Sequence, residues 1–193
     1  NAFAAIAELE GRLYVVSRVD GGVAVLEDER MARFIPVCRV PTSIAVDQET
    51  RQVFVGCEDE KAVKVIQDQK VRDTWPLDEP PASLAVADWR LFVGAGSKGR
   101  IDVLDINSGA GLSTITIEGV YSILALAVDE PARRWIAVQA QVIHGTGKKH
   151  GDRGAFSQQV YLLFLDSVQV IHGDCPHADS EAGCSVVRQL VGV

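Results

Sequence analysis

Short apolar runs, broken by polar turns, recur along this chain, and within them large and small or polar positions alternate as they do in strands. Ser43-Ile44-Ala45-Val46, a polar turn, and then Gln52-Val53-Phe54-Val55-Gly56 form one such unit. Ser83-Leu84-Ala85-Val86 followed by Arg90-Leu91-Phe92-Val93-Gly94 repeats it, as does Leu126-Ala127-Val128 followed by Arg134-Trp135-Ile136-Ala137. Ala4 to Ala7 with Arg12-Leu13-Tyr14-Val15-Val16 is the first copy. A third strand follows in each copy: Val23 to Glu27, Val63 to Gln67, Ile101 to Asp105 and Tyr161 to Asp166. A weaker fourth follows at Ala32 to Pro36, Val71 to Trp75, Ser113 to Ile117 and Val168 to Ile171. The third strands start at Val23, Val63 and Ile101, a period of 40 and then 38 residues, which is the spacing of a repeat architecture.

The connections carry turn chemistry. Asp20-Gly21-Gly22, Ser97-Lys98-Gly99 and Asn107-Ser108-Gly109 supply glycine where a tight hairpin needs positive φ. No long amphipathic helix competes with the strands. Small residues mixed with branched ones in each first strand suit a sheet that narrows toward an axis and is packed on both faces, where large side chains would collide. The pattern predicts an all-β fold of four-stranded β-propeller blades at residues 1–38, 41–77, 80–117 and 121–171. A polar tail at 172–193 follows, and its end, Ser185 to Val193, is expected to add a strand to a further blade.

Pro41-Thr42-Ser43-Ile44-Ala45-Val46-Asp47, with the strands at Gln52 to Val55 and Val63 to Ile66, resembles the NHL and YVTN class of propeller repeats. That pattern runs proline, two residues, an apolar-alanine-valine-aspartate strand and a valine-tyrosine-valine strand. The resemblance covers residues 1 to about 171, and no copy carries the tryptophan-aspartate signature of WD repeats. It implies a fold more than an activity, because propellers of this class are platforms for protein, RNA or ligand and in some cases enzymes. They resemble rings of six to eight blades, so four blades imply an incomplete ring, finished by further blades or by a second chain. A closed four-bladed ring of the hemopexin-like kind is the alternative, although these repeats lack its helix and aromatic pattern.

Composition narrows the functional classes. The 193 residues hold 26 acidic and 19 basic side chains, a net charge of -7, with 47% hydrophobic and 23% charged residues. That is globular composition, and its acidity argues against nucleic acid or an anionic membrane as a general partner. The longest apolar runs, such as Val160 to Leu165, fall far short of the roughly 20 residues that span a bilayer, so no membrane span is expected. The chain begins at Asn1 rather than methionine, as a processed product or a fragment would, and the compartment stays open.

Chemistry concentrates in the fourth blade. There the link between the second and third strands expands from about Val142 to Gln159 and contains His144-Gly145-Thr146-Gly147-Lys148-Lys149-His150-Gly151-Asp152-Arg153-Gly154. All four histidines, His144, His150, His172 and His177, lie here or just beyond, and the first 143 residues have none. Because strands alternate in direction, this link and the chain leaving the fourth strand emerge on the same face of the disc. Lys148, Lys149, His150 and Arg153 are the candidate partner-binding residues. His172, Cys175, His177 and Cys184 are a candidate metal set, with the nitrogen and thiolate donors that zinc prefers, though no C-x2-C pair anchors them. The alternatives are a Cys175–Cys184 disulfide in an exported protein or two plain thiols. Cys38 and Cys57 read as small buried hydrophobes in blade packing.

Neither a P-loop nor a dinucleotide fingerprint is met by Gly145, Gly147, Lys148 and Lys149, and no nucleophile elbow or metal-binding helix appears, so no catalytic residue is assigned. Asp47, Asp88 and Asp129 recur after the first strand as turn formers, Asp102 and Asp105 are expected to meet solvent or a loop, and Trp135 falls in the slot of Tyr14, Phe54 and Phe92. The expected role is a non-catalytic scaffold that presents the loops of one face to a protein partner within a larger assembly. The rival is an enzyme, or a metal- or cofactor-bearing propeller, working from the histidine-rich face.

Overall fold

The structure is a computed structural model that describes the backbone of residues 3–128, 135–144, 155–164, 169–174 and 185–190, with side chains for residues 5–128 and for Val138. These residues form four antiparallel sheets and no helix. The first sheet is β1 (Phe3–Leu9), β2 (Arg12–Ser17), β3 (Gly22–Glu27) and β4 (Arg30–Pro36). The second is β5 (Pro41–Asp47), β6 (Gln52–Cys57), β7 (Ala62–Gln67) and β8 (Lys70–Pro76). The third is β9 (Pro81–Ala87), β10 (Arg90–Ala95), β11 (Arg100–Asp105) and β12 (Gly111–Thr116). In each the strands pair in chain order, which is the meander of a propeller blade.

Side chains alternate between the two faces of each strand, so every blade has one face toward its predecessor and one toward its successor. In blade 2, Val53 and Val55 pack on blade 1 with Tyr14, Val16 and Val25, whereas Phe54, Val63 and Val65 pack on blade 3 with Leu91, Val93 and Leu104. Blade 3 repeats the scheme, turning Phe92, Ile101 and Val103 toward Val120, Ile123 and Val138 of the fourth sheet. The core is therefore three layers between sheets. Burying one such side chain stabilises the fold by about 1.5–3 kcal/mol.

The first two strands of a blade are small where they pair near the axis. A Cβ on Gly56 would collide with the Ser43 hydroxyl opposite it, and one on Gly94 with Ser83. The outer strands β4 and β8 are exposed apart from one inward residue each, Ile35 and Trp75. Trp75 lies 5.5 Å from Phe54 between ring centroids and closes the outer end of the layer between blades 2 and 3.

Inner-strand packing runs from β1 to β5 to β9 to β13 (Val120–Val128). Among the described residues no comparable packing returns from β13 to β1, so the four blades form an open arc.

The fourth sheet departs from the expected layout. It comprises β13, β14 (Trp135–His144), β15 (Ala155–Phe164), β16 (Gln169–Asp174) and β17 (Ser185–Leu190) in that order. The expected long link from Val142 to Gln159 is strand at both its ends, at 142–144 and 155–159, since β14 and β15 pair without interruption from Trp135↔Phe164 to His144↔Ala155, while residues 145–154 lie outside the described residues. The residues supply the reason: β-branched Val142 and Ile143 and aromatic Phe156 favour strand beside the glycines of the link. The end of the tail also differs, because Ser185–Leu190 pairs with β16 as a fifth strand of this same sheet rather than of a further blade.

Candidate functional site

The expected partner-binding residues lie outside the described residues, between two strands of blade 4. Lys148, Lys149, His150 and Arg153 fall in the link between His144 and Ala155, which are paired at the end of the β14–β15 ribbon. Blades 1 to 3 pair five residues between their second and third strands, whereas this ribbon pairs ten. At about 3.3 Å per residue the extra length spans roughly 16 Å of ribbon.

Register also bears on the candidate metal set. His172 stands opposite Tyr161, which stands opposite Val138, six residues before His144 on the same strand. That places His172 about 20 Å down the ribbon from His144. Cys175, His177 and Cys184 lie outside the described residues. The flanking pair Asp174↔Ser185 is the last of the β16–β17 ladder, and Cys175 and Cys184 are the residues next to it in sequence on either side. Among the described residues no group of histidine, cysteine and carboxylate side chains is placed to hold a metal.

On the same end of the disc, charged pairs tie neighbouring blades together. Arg18 donates to Glu58 at 2.6 Å, joining blade 1 to blade 2, and Lys98 pairs with Glu79 at 2.5 Å. Its hydrogen bond to Lys98, with help from Ser97, holds the Glu79 carboxyl below its ordinary range. Arg100 bridges Asp78 at 3.0 Å and Asp102 at 2.7 Å. Asp102 is buried and also accepts from the Thr114 hydroxyl, so the expectation that it meets solvent is corrected. The third strand turns this position toward the preceding blade, and a carboxylate there is kept by a cation and a hydroxyl.

The cysteines of the first two blades hold the largest correction. Cys38 and Cys57 form a disulfide, with Cα atoms 6.1 Å apart, rather than two buried thiols. Cys38 follows β4 and Cys57 ends β6, so the bond links the exit of blade 1 to the second strand of blade 2. Nothing in the sequence spacing announces it, because the approach is made only when the blades pack.

The opposite end of the disc carries a hollow of about 190 Å³ lined by Val46, Gln48, Val86, Asp88, Trp89 and Val128. Asp47, also in its lining, is a turn former as expected, accepting from the Thr50 amide at 3.1 Å and the Thr50 hydroxyl at 2.6 Å. Asp88 and Trp89 occupy a two-residue hairpin with φ of +49° and +59°. A bulky side chain is disfavoured in that left-handed region, yet Trp89 is held there and exposed at 52%. The sequence assigned this tryptophan no place; its only signal was an aromatic inside a hairpin turn where glycine or asparagine is usual.

Solved structures share the architecture at low identity. Hydrazine synthase of Kuenenia stuttgartiensis superposes with a TM-score of 0.62 at 12% identity, covering 89% of this chain and 65% of that one. Glutaminyl cyclase of Myxococcus xanthus gives 0.60 at 11%, covering 84% and 65%. The WD40 propeller domain of Doa1 gives 0.60 at 13%, covering 86% and 58%. The chain spans less than two thirds of each. No family model matches it, and no curated protein matches it in sequence. The likeness establishes the fold, a β-propeller, and leaves its subfamily and chemistry to the chain's own residues.

Proposed function

We propose that the chain is a non-catalytic propeller platform of the NHL or YVTN kind that holds a protein partner on the loops at one end of its disc, as a component of a larger assembly. The observation that carries this reading is the ten-residue β14–β15 ribbon, which bears the basic link with Lys148, Lys149, His150 and Arg153. A paired ribbon is stiffer than a free loop, so less conformational entropy is lost when its tip engages a partner. With a net charge of -7 for the whole chain, a cationic tip is a local exception suited to an acidic protein surface. The Doa1 domain is a WD40 propeller, a likeness that agrees with an interaction role.

Replacing Lys148, Lys149 and Arg153 together with alanine tests the reading. Binding of a fluorescent polyglutamate peptide, followed by anisotropy at low and high salt, is expected to fall at least about tenfold while Tm stays within about 1 °C. Unchanged binding excludes the ribbon tip as the contact, and loss of folding shows that the link is structural.

The rival reading is an enzyme or metal-bearing propeller that uses His172, Cys175, His177 and Cys184, with zinc as the ion their donors suit. Two neighbours, a hydrazine synthase and a glutaminyl cyclase, are enzymes by name. Stoichiometric zinc in the purified protein would favour it over the scaffold.

A further inference from the structure

We propose that the outward face of blade 1 is a docking surface for one further blade of this same repeat, lying outside these 193 residues and presenting to it the face that blade 2 presents to blade 3. The surface is separate from the loop-bearing end of the disc. It is the first member of a series of which the structure shows the next two already filled. Ile6, Leu13, Val15 and Leu26 hold, in β1 to β3, the positions that Ile44, Val53, Val55 and Ile66 hold in blade 2 and that Leu84, Leu91, Val93 and Leu104 hold in blade 3. In blades 2 and 3 every one of these is buried against the preceding blade. In blade 1 Ile6 is 61% exposed and Leu13 41%, whereas Ile44 is 9% and Val53 1%.

At these four positions the residues are those of an interface, all of them apolar. One pair goes further. Ala24 and Phe34 stand opposite each other on this face, where blades 2 and 3 have Lys64 with Thr74 and Asp102 with Thr114. The uncovered surface is thus more apolar at this position than the two covered ones. What fits it is the other half of the established layers: alanine in the inner strand, an aromatic in the second and two β-branched residues in the third, as Ala45, Phe54, Val63 and Val65 supply to blade 3. At the rim Glu8 takes the place of Val46 and Val86, so the covering blade leaves that corner to water.

Three measurements test this. In urea unfolding of the 193-residue chain, Leu13→Ser is expected to shift the folding equilibrium by less than about threefold and Val53→Ser by more than about tenfold. Equal losses would show that the face is already covered within the chain and would overturn the proposal. Light scattering is expected to give the 20.8 kDa monomer at dilute concentration. A dimer that Leu13→Glu returns to monomer would assign the face to a second copy and overturn it as well. Finally, residues 41–80 are joined ahead of residue 1 as a probe blade. In that extended chain Leu13→Ser is expected to shift the equilibrium by more than about tenfold. A shift as small as in the parent chain, or a probe segment that stays unfolded while the original blades fold, overturns the docking.

Discussion

The layer between blades 2 and 3 and the bare face of blade 1 are built from equivalent positions on equivalent strands, yet one is dry and the other is wet. Leu91 and Val93 are covered by Phe54, Val63 and Val65, while Leu13 and Val15 have no such neighbours among the described residues. The difference teaches that a blade's sequence is written for two neighbours whether or not both are present. Stability in such an array is a sum of intrinsic blade terms and interface terms, so a blade with one covered face holds less than its share.

The comparison breaks most sharply at Phe54, which is fully buried between blades 2 and 3 against Trp75. Phe54→Ala is expected to cost about 3–5 kcal/mol in urea unfolding, and Leu13→Ala on the bare face less than about 1 kcal/mol. Next is the disulfide, which clamps blade 1 from its covered side. Replacing Cys38 and Cys57 with serine is expected to cost about 2–4 kcal/mol, and limited proteolysis should then cut first within blade 1.

A smaller effect is expected at Asp102. Asp102→Ala leaves Arg100 and the Thr114 hydroxyl without their shared acceptor and should cost about 1–3 kcal/mol. The equivalent position of the bare face, Ala24, should accept serine within about 0.5 kcal/mol. Denaturation midpoints of the two variants make the test.

The smallest effect concerns a turn on the surface. The Ser108 hydroxyl, with the amides of Ser108 and Asn107, holds the Asp105 carboxyl below its ordinary range. A carboxyl depressed in the folded state lends stability that is present above its unfolded value and is lost as pH falls through the folded one. Ser108→Ala is therefore expected to raise the Asp105 value, read by carboxyl carbon NMR titration, and to weaken the protein slightly near neutral pH but not in strong acid.

How far the sequence could be read follows from the range of the interactions involved. The strands of blades 1 to 3 lie where alternation and turn residues put them, because both are local: Val53-Phe54-Val55 alternates faces, and Gly109 marks its turn with φ of +70°. Trp75 and Phe54 share a layer for the same reason. In blade 4 the glycines and lysines of the link obscured a strand pattern that continues to His144 and resumes at Ala155. The candidate site was legible as a composition, a basic, histidine-bearing link, but not as a geometry. How far His172 lies from His144 is a matter of ladder register, which sets them about 20 Å apart along the ribbon.

The sequence by itself determined the repeat, its period, the face each apolar residue takes and hence the propeller fold, since these depend on neighbours a few residues away and on the two-residue periodicity of strands. Only the tertiary structure decided that Cys38 meets Cys57, that Asp102 is buried between Arg100 and Thr114, that Ser185–Leu190 closes onto β16, and that the arc leaves Ile6 and Leu13 bare. Each of those depends on how whole blades stack, and the contacts that fix the stacking join residues too far apart in the chain for any local pattern to pair them.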